Sequence, residues 1–136
     1  MAANALVDTS FLVGFINRRD ANHRWALAQA PKLSLPWKTC EAVLAEAFYV
    51  VGPSGGQPLR DLLKRRALVC AFQLTEHLEE ILKLLEKYAD IPMSLADACL
   101  VRMTETLADP VLYTVDSDFR IYRRNSRLTI PCVFPR

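Results

Sequence analysis

Along this chain short apolar runs alternate with longer stretches in which apolar residues recur at helical spacing, a pattern that predicts strands separated by helices. Ala5 to Val7 is a short apolar run closed by Asp8, and Phe11 to Ile16 reads as a helix continuing to about Arg19. Asp20 suits the cap of a second helix that Pro31 stops near Ala30, and Leu33 to Leu35 reads as a short strand ahead of Pro36. From Trp37 or Lys38 a strongly apolar helix, TCEAVLAEAFYVV, runs to Gly52-Pro53, and SGGQP beyond it is the loop-like cluster of the chain. A further helix is expected from about Pro58 to Arg66. Leu68 to Phe72 reads as a buried strand, and Thr75 opens a helix with Leu78, Ile81, Leu82, Leu84 and Leu85 at helical spacing. Ser94 opens another, SLADACLVRMTETL, followed by Pro110 and a strand, Val111 to Val115, that ends at Asp116. Ile130 to Phe134 is the last apolar piece.

Strands alternating with helices imply a parallel sheet covered on both faces. The expected fold class is α/β, a three-layer α/β/α sandwich with a central parallel sheet. Residues 1–136 are expected to form one domain, since no repeat, low-complexity tract or linker breaks the alternation. In open sheets of this kind the functional crevice lies beyond the carboxyl ends of the strands, where the strand order reverses. Acids placed there carry more meaning than acids elsewhere.

Composition sharpens the picture in three ways. With 51% hydrophobic and 24% charged residues the chain suits a packed globular protein rather than a disordered one. No stretch approaches the roughly 18 uninterrupted apolar residues of a membrane span, and MAANALVDTSFLVGFINRRD lacks a basic leader and a cleavage site, so the expected compartment is the cytoplasm. Cys40, Cys70, Cys99 and Cys132 are widely spaced, form no C-x-x-C and have apolar neighbours, which reads as buried thiols rather than a zinc site or disulfide framework.

Acidic residues stand out against this background. Asp8 and Asp116 directly follow expected strands, with Asp118 two residues on. Glu46 has no charged neighbour within four residues on either side, and Asp97 lies one turn into a helix whose next residues are mostly apolar. A carboxylate in apolar surroundings is costly unless something positive compensates it, and a metal ion meets that need. Each position also has a plain structural role open to it. Asp8 and Asp116 suit helix caps, and Ser94-x-x-Asp97 is a capping-box pattern. Glu46 could reach solvent or pair with a distant arginine, and Asp118 suits a turn. Taken together, acids at strand ends and helix starts in separate segments form a suitable site for Mg²⁺ or Mn²⁺, which prefer oxygen ligands. Two such ions can support hydrolysis of a phosphodiester. Thr9 and Ser10 are placed to orient Asp8 or a water through their hydroxyls.

Other chemistries lack their residues. The chain has no G-x-x-x-x-G-K-[ST], G-x-G-x-x-G or G-x-S-x-G, and His23 and His77 stand beside polar or charged residues without partners. An aspartyl phosphatase would favour an acid two residues after Asp8, where Ser10 stands. A phosphate-accepting regulatory domain would need an acid pair near the start and a lysine after the last strands, and both are missing.

Read in order and spacing, VDTSFLV, VLAEAFYVV, SLADACLV and TVDSDFRIYRR resemble the PIN-domain ribonucleases of the VapC toxin type over nearly the whole chain. The resemblance implies that Asp8, Glu46, Asp97 and Asp116 are the catalytic and metal-binding acids, with Asp118 a nearby supporting one. It makes Thr9, Ser10 and Thr114 supporting hydroxyls, and it prefers Glu46, which follows VLA, over Glu41. It further implies Mg²⁺- or Mn²⁺-supported endonucleolytic cleavage of RNA, inhibition by a small cognate antitoxin, and a homodimer. A non-catalytic RNA- or protein-binding domain of the same fold is the alternative.

Arg120, Arg123, Arg124, Arg127 and Arg136 give the final seventeen residues five positive charges and no acid, suitable for RNA phosphates or simply for a solvated surface. Phe48, Tyr49, Val50 and Val51 exceed what one buried helix face holds, so that helix either fills the core on several sides or meets a second subunit or an antitoxin helix. The formal net charge of +2 conceals an asymmetry: setting five site acids aside from the fifteen leaves ten against seventeen basic residues. The surface beyond the site then carries an excess of seven positive charges, suited to nucleic acid.

Overall fold

The computed structural model describes residues 2–136. The elements run β1 (Asn4–Val7), α1 (Thr9–Ile16), α2 (His23–Gln29), β2 (Trp37–Thr39), α3 (Glu41–Lys64), β3 (Leu68–Cys70), α4 (Leu78–Lys87), α5 (Leu95–Thr106) and β4 (Pro110–Tyr113). Three short strands follow, β5 (Arg123–Arg124), β6 (Leu128–Thr129) and β7 (Cys132–Val133). Five strands pair in parallel in the order β3-β2-β1-β4-β7, with helices on both faces, as the alternation predicted. Every residue of β1 is buried, as a central strand covered on both faces requires. Among the described residues no helix is long and apolar enough to cross a membrane.

The chain lays down β1, moves outward through β2 and β3, and returns to the other flank of β1 as β4. Strand order therefore reverses between β1 and β4, which places the crevice at their carboxyl ends. Val7 is in register with Tyr113, so Asp8 and Thr114 leave the sheet side by side.

Two aromatic groups fix the elements that frame this crevice. Phe11 is fully buried and meets Trp25 and Trp37 edge-on at 5.7 and 5.5 Å between ring centres, holding α1 against the sheet and α2. Phe119, Tyr122 and Tyr88 pack edge-to-face in series, which anchors the 3₁₀ turn Ser117–Arg120 just beyond Asp116. Full burial of each such ring stabilises the fold by roughly 1.5–3 kcal/mol.

Several boundaries differ from the sequence reading. The strand expected at Leu33 to Leu35 lies instead at Trp37–Thr39, and Leu35 is 71% exposed. Pro36 has no N–H to donate to a ladder, whereas Trp37 N donates to Ala67 O at 2.8 Å, so pairing starts beyond the proline. The apolar helix consequently begins at Glu41, not at Trp37 or Lys38. SGGQP is helical rather than a loop. α3 runs through it with a kink at Gly52 (φ 66°, ψ −169°), and Pro53 opens the second half in the first-turn position that tolerates proline. A 3₁₀ turn, Leu74–His77, precedes α4 where a helix from Thr75 was expected. The cap of α2 falls at Asn22, not Asp20. The arginine-rich end is a 3₁₀ turn followed by the antiparallel pair β5–β6. Cys40 and Cys99 are buried as expected, but Cys70 is exposed and Cys132 only half-buried.

Candidate active site

A cavity of about 260 Å³ opens at the carboxyl ends of β1 and β4. Asp8, Glu46, Asp97 and Asp116 all line it, together with Thr9 and Ser10, and Val13, Val43, Val50 and Leu100 supply an apolar wall.

Asp8 is both a helix cap and a lining acid. Its Oδ1 accepts from Phe11 N at 2.9 Å and from Ser10 Oγ at 2.6 Å, and its Oδ2 accepts from the Thr114 hydroxyl. Ser10 Oγ also accepts from Val115 N at 3.0 Å, and Thr114 Oγ1 from Asp116 N at 2.9 Å, so two hydroxyls tie the end of β1 to the end of β4. Burial pushes the Asp8 pKa up to about 6 despite these hydrogen bonds, and the nearby Asp116 charge adds to the rise.

Asp97 forms a complete capping box with Ser94. Asp97 N donates to Ser94 Oγ at 3.0 Å, and Ser94 N donates to Asp97 Oδ2 at 3.2 Å. That oxygen also accepts from the buried Tyr122 hydroxyl at 3.4 Å. Burial raises the Asp97 pKa first, and the charges of Asp116 and Glu46 raise it further. Burial likewise raises that of Tyr122, with the Asp97, Asp118 and Asp116 charges adding to it. Asp116 caps the 3₁₀ turn by accepting from Asp118 N at 2.9 Å, and Asp118 itself does not line the cavity.

Of the roles open to Glu46, the structure has the one that reaches solvent. Its apolar neighbours suggested a buried carboxylate in need of compensation, yet it is exposed at the cavity edge, where Thr9 Oγ1 donates to it at 2.7 Å. The neighbours that bury are Val43 and Ala47, on the inner face of α3; Glu46, three residues from Val43, lies at the margin of that face. Glu41 lines a separate cavity with Phe72, Leu95 and the buried thiols Cys40 and Cys99.

Asp20 lines the acidic cavity and was read only as a cap. It reaches the site because the turn after α1 folds back: its backbone carbonyl accepts from His23 N and its carboxylate from Asn22 N. Its sequence position between two helices carries no signal of that approach. Tyr122 was also missed, being twenty-five residues from the carboxylate it meets.

None of the arginines near the C-terminus lines the cavity. Arg123 donates to the carbonyls of Arg120, Ile121 and Tyr122, and Arg124 donates to the carbonyl of Thr104. Arg120 stacks 4.0 Å above the centre of the Phe134 ring, while Arg127 is exposed. His23 and His77 stand outside the cavity.

The acids have no basic partner: the salt bridges among the described residues join Lys83 to Glu79 and Arg102 to Glu80 and Glu105. Oxygen-only donors, in which the Asp116 charge raises the pKa of Asp8 and the Asp116 and Glu46 charges raise that of Asp97, uncompensated by lysine or arginine, fit a hard divalent cation. As the side chains stand, no three His, Cys, Asp or Glu among the described residues lie close enough to share one ion. Mg²⁺ typically takes only one or two carboxylates and retains several waters, so the lining suits it without such a cluster.

The family model described as the PIN domain matches residues 5–125 of this chain, a span that includes all of the acids lining the cavity. No curated protein matches it.

Proposed function

Because this chain belongs to the PIN domain family, whose members are usually metal-dependent nucleases, we propose that it is a Mg²⁺- or Mn²⁺-dependent endoribonuclease hydrolysing RNA phosphodiester bonds. The observation that carries the reading is the convergence of Asp8, Glu46, Asp97 and Asp116 from four parts of the chain onto one cavity, without a basic partner, at the reversal of strand order. Its likeness to VapC-type toxins, carried by the four sequence motifs, supports a narrower role as the toxin of a toxin–antitoxin pair, acting in the cytoplasm as a homodimer held in check by a cognate antitoxin.

Asp8, Asp97, Asp116 and, at the edge, Glu46 line the space a cation would take, one or two of them binding it directly and the others through its waters. When bound, a divalent ion activates water and stabilises charge on the phosphate oxygens. The chain's own groups keep the carboxylates aimed: Ser10 and Thr114 fix both oxygens of Asp8, Ser94 and Tyr122 fix Asp97, and Thr9 turns Glu46 toward the cavity. Val13, Val43, Val50 and Leu100 limit water on one side, which strengthens the electrostatics of the site.

RNA cleavage is expected with Mg²⁺ or Mn²⁺, abolished by EDTA and reduced by at least 10²-fold in Asp8→Asn and in Asp97→Asn, with circular dichroism showing the fold retained. Cleavage without metal, or full activity in both variants, would overturn the assignment. RNA bound but uncut in Mn²⁺ would select the non-catalytic alternative. The toxin role requires growth arrest on expression, relieved by the product of the neighbouring gene.

A further inference from the structure

An acid-lined crevice repels the polyanion it is proposed to cut, so positive side chains beside it have to bring the strand in. The late arginines do not border it, and the guanidinium groups of Arg123 and Arg124 are already held by backbone carbonyls. A second cavity, of about 540 Å³, offers what they do not. Arg18 and Arg19 line it together with Asn17, Ser54 and Gly55, and none of its lining residues is an acid. Both arginines are exposed, and neither enters a salt bridge among the described residues.

The two cavities follow one seam. Val13 of α1 lines the acidic cavity and Ile16, one turn on, lines the basic one; on α3, Val50 lines the first and Val51 the second. We infer that Arg18 and Arg19 bind the phosphates of the RNA strand a few nucleotides from the scissile bond, so that the α1–α3 seam is the track along which substrate lies. This inference rests on the nuclease reading for its substrate. α1 spans about 12 Å at 1.5 Å per residue, and phosphates of a stacked strand advance about 3.4 Å each, so Arg18 and Arg19 meet phosphates about three or four nucleotides from the one at Asp8.

The test is a fluorescence-anisotropy titration of a mixed-sequence 12-nucleotide single-stranded RNA, at several salt concentrations in Mg²⁺. It compares Asp8→Asn, which does not cut, with the same chain also carrying Arg18→Ala and Arg19→Ala. Affinity is expected to fall about tenfold, and the slope of log K against log salt to become shallower by about 1.4, two contacts at roughly 0.7 each for single strands. In an otherwise unaltered chain the double substitution is expected to raise KM while leaving kcat at saturation within about twofold, because it removes binding shared by ground and transition states. Lysine at both positions is expected to restore most of the salt slope. An unchanged slope and affinity overturn the inference, as does an equal loss from Arg127→Ala. Normal RNA binding with lost binding of the neighbouring gene's product also overturns it, assigning the surface to a protein partner. The two readings fail separately: RNA bound through Arg18 and Arg19 but never cut sinks the nuclease and spares the track, whereas RNA cut by the double variant with unaltered KM does the reverse.

Discussion

Asp8 accepts from Phe11 N to close the first turn of α1 and lines the acidic cavity with the same carboxylate. Its pKa stands at about 6 in the folded chain against 3.8 in its ordinary state, raised chiefly by burial. Between those values the folded protein holds a proton that the unfolded chain has lost, so stability is fully present below pH 4 and falls as pH rises through 6. The loss amounts to roughly 3 kcal/mol at 1.36 kcal/mol per pH unit, and Asp97 changes stability in the same sense. Urea denaturation in EDTA from pH 4 to pH 7 is expected to show this decline in the unaltered protein and a much flatter profile in Asp8→Asn. Parallel profiles would show that burial of Asp8 does not govern it. The same residue illustrates what a sequence discloses at this scale. Strand end and cap pattern are local, so Asp8, Asp97 and Asp116 are readable from their neighbours. Asp20 and Tyr122 reach the site through folding of distant segments, and Glu46 owes its exposure to the face of α3 it occupies, which local apolarity misrepresents.

At the scale of elements the kink in α3 follows the half that carries Glu46, and the residues on both sides of it, Val51 before and Ser54, Gly55 and Pro58 after, border the cavity of Arg18 and Arg19. Gly52 sits at φ 66° and ψ −169°, a conformation that only glycine adopts readily, while a Cβ built there would meet nothing within 4 Å. Gly52→Ala is therefore expected to cost about 1–3 kcal/mol through backbone strain alone, measured by chemical denaturation. Gly55 presents the opposite case, since an added Cβ would stand 2.5 Å from that of Val51 and require repacking. A Gly52→Ala protein as stable as the parent would show that the kink relaxes without cost. The misreading of SGGQP follows from this geometry. Glycine and proline mark a break in direction, and here the break is one residue wide, with Pro53 starting a new helix at once. Leu33 to Leu35 misled for a related reason: its apolarity is that of a strand, but Pro36 defers pairing to Trp37.

For the whole molecule, alternation of apolar runs sufficed to predict a covered parallel sheet and the end of it where acids matter. Strand order was beyond it, because neighbours in a sheet are set by crossovers rather than by adjacency in the chain, and so were the two-residue strands β5 and β6, too short for any periodicity. The order also has an outcome for assembly. The sheet ends in β3, three residues long, on one side and β7, two residues long, on the other. Such margins offer few unpaired backbone groups to another strand, a common safeguard against edge-to-edge aggregation. In contrast, Tyr49 and Val50 of α3 are 87% and 57% exposed. Hydrogen exchange on dilution of the proposed homodimer is accordingly expected to deprotect helical amides and leave those of β3 and β7 unchanged; the reverse pattern would mean that the sheet continues across the interface. Two blunt margins thus make the sheet of each copy a closed unit, where longer ones would have permitted an open-ended stack of sheets.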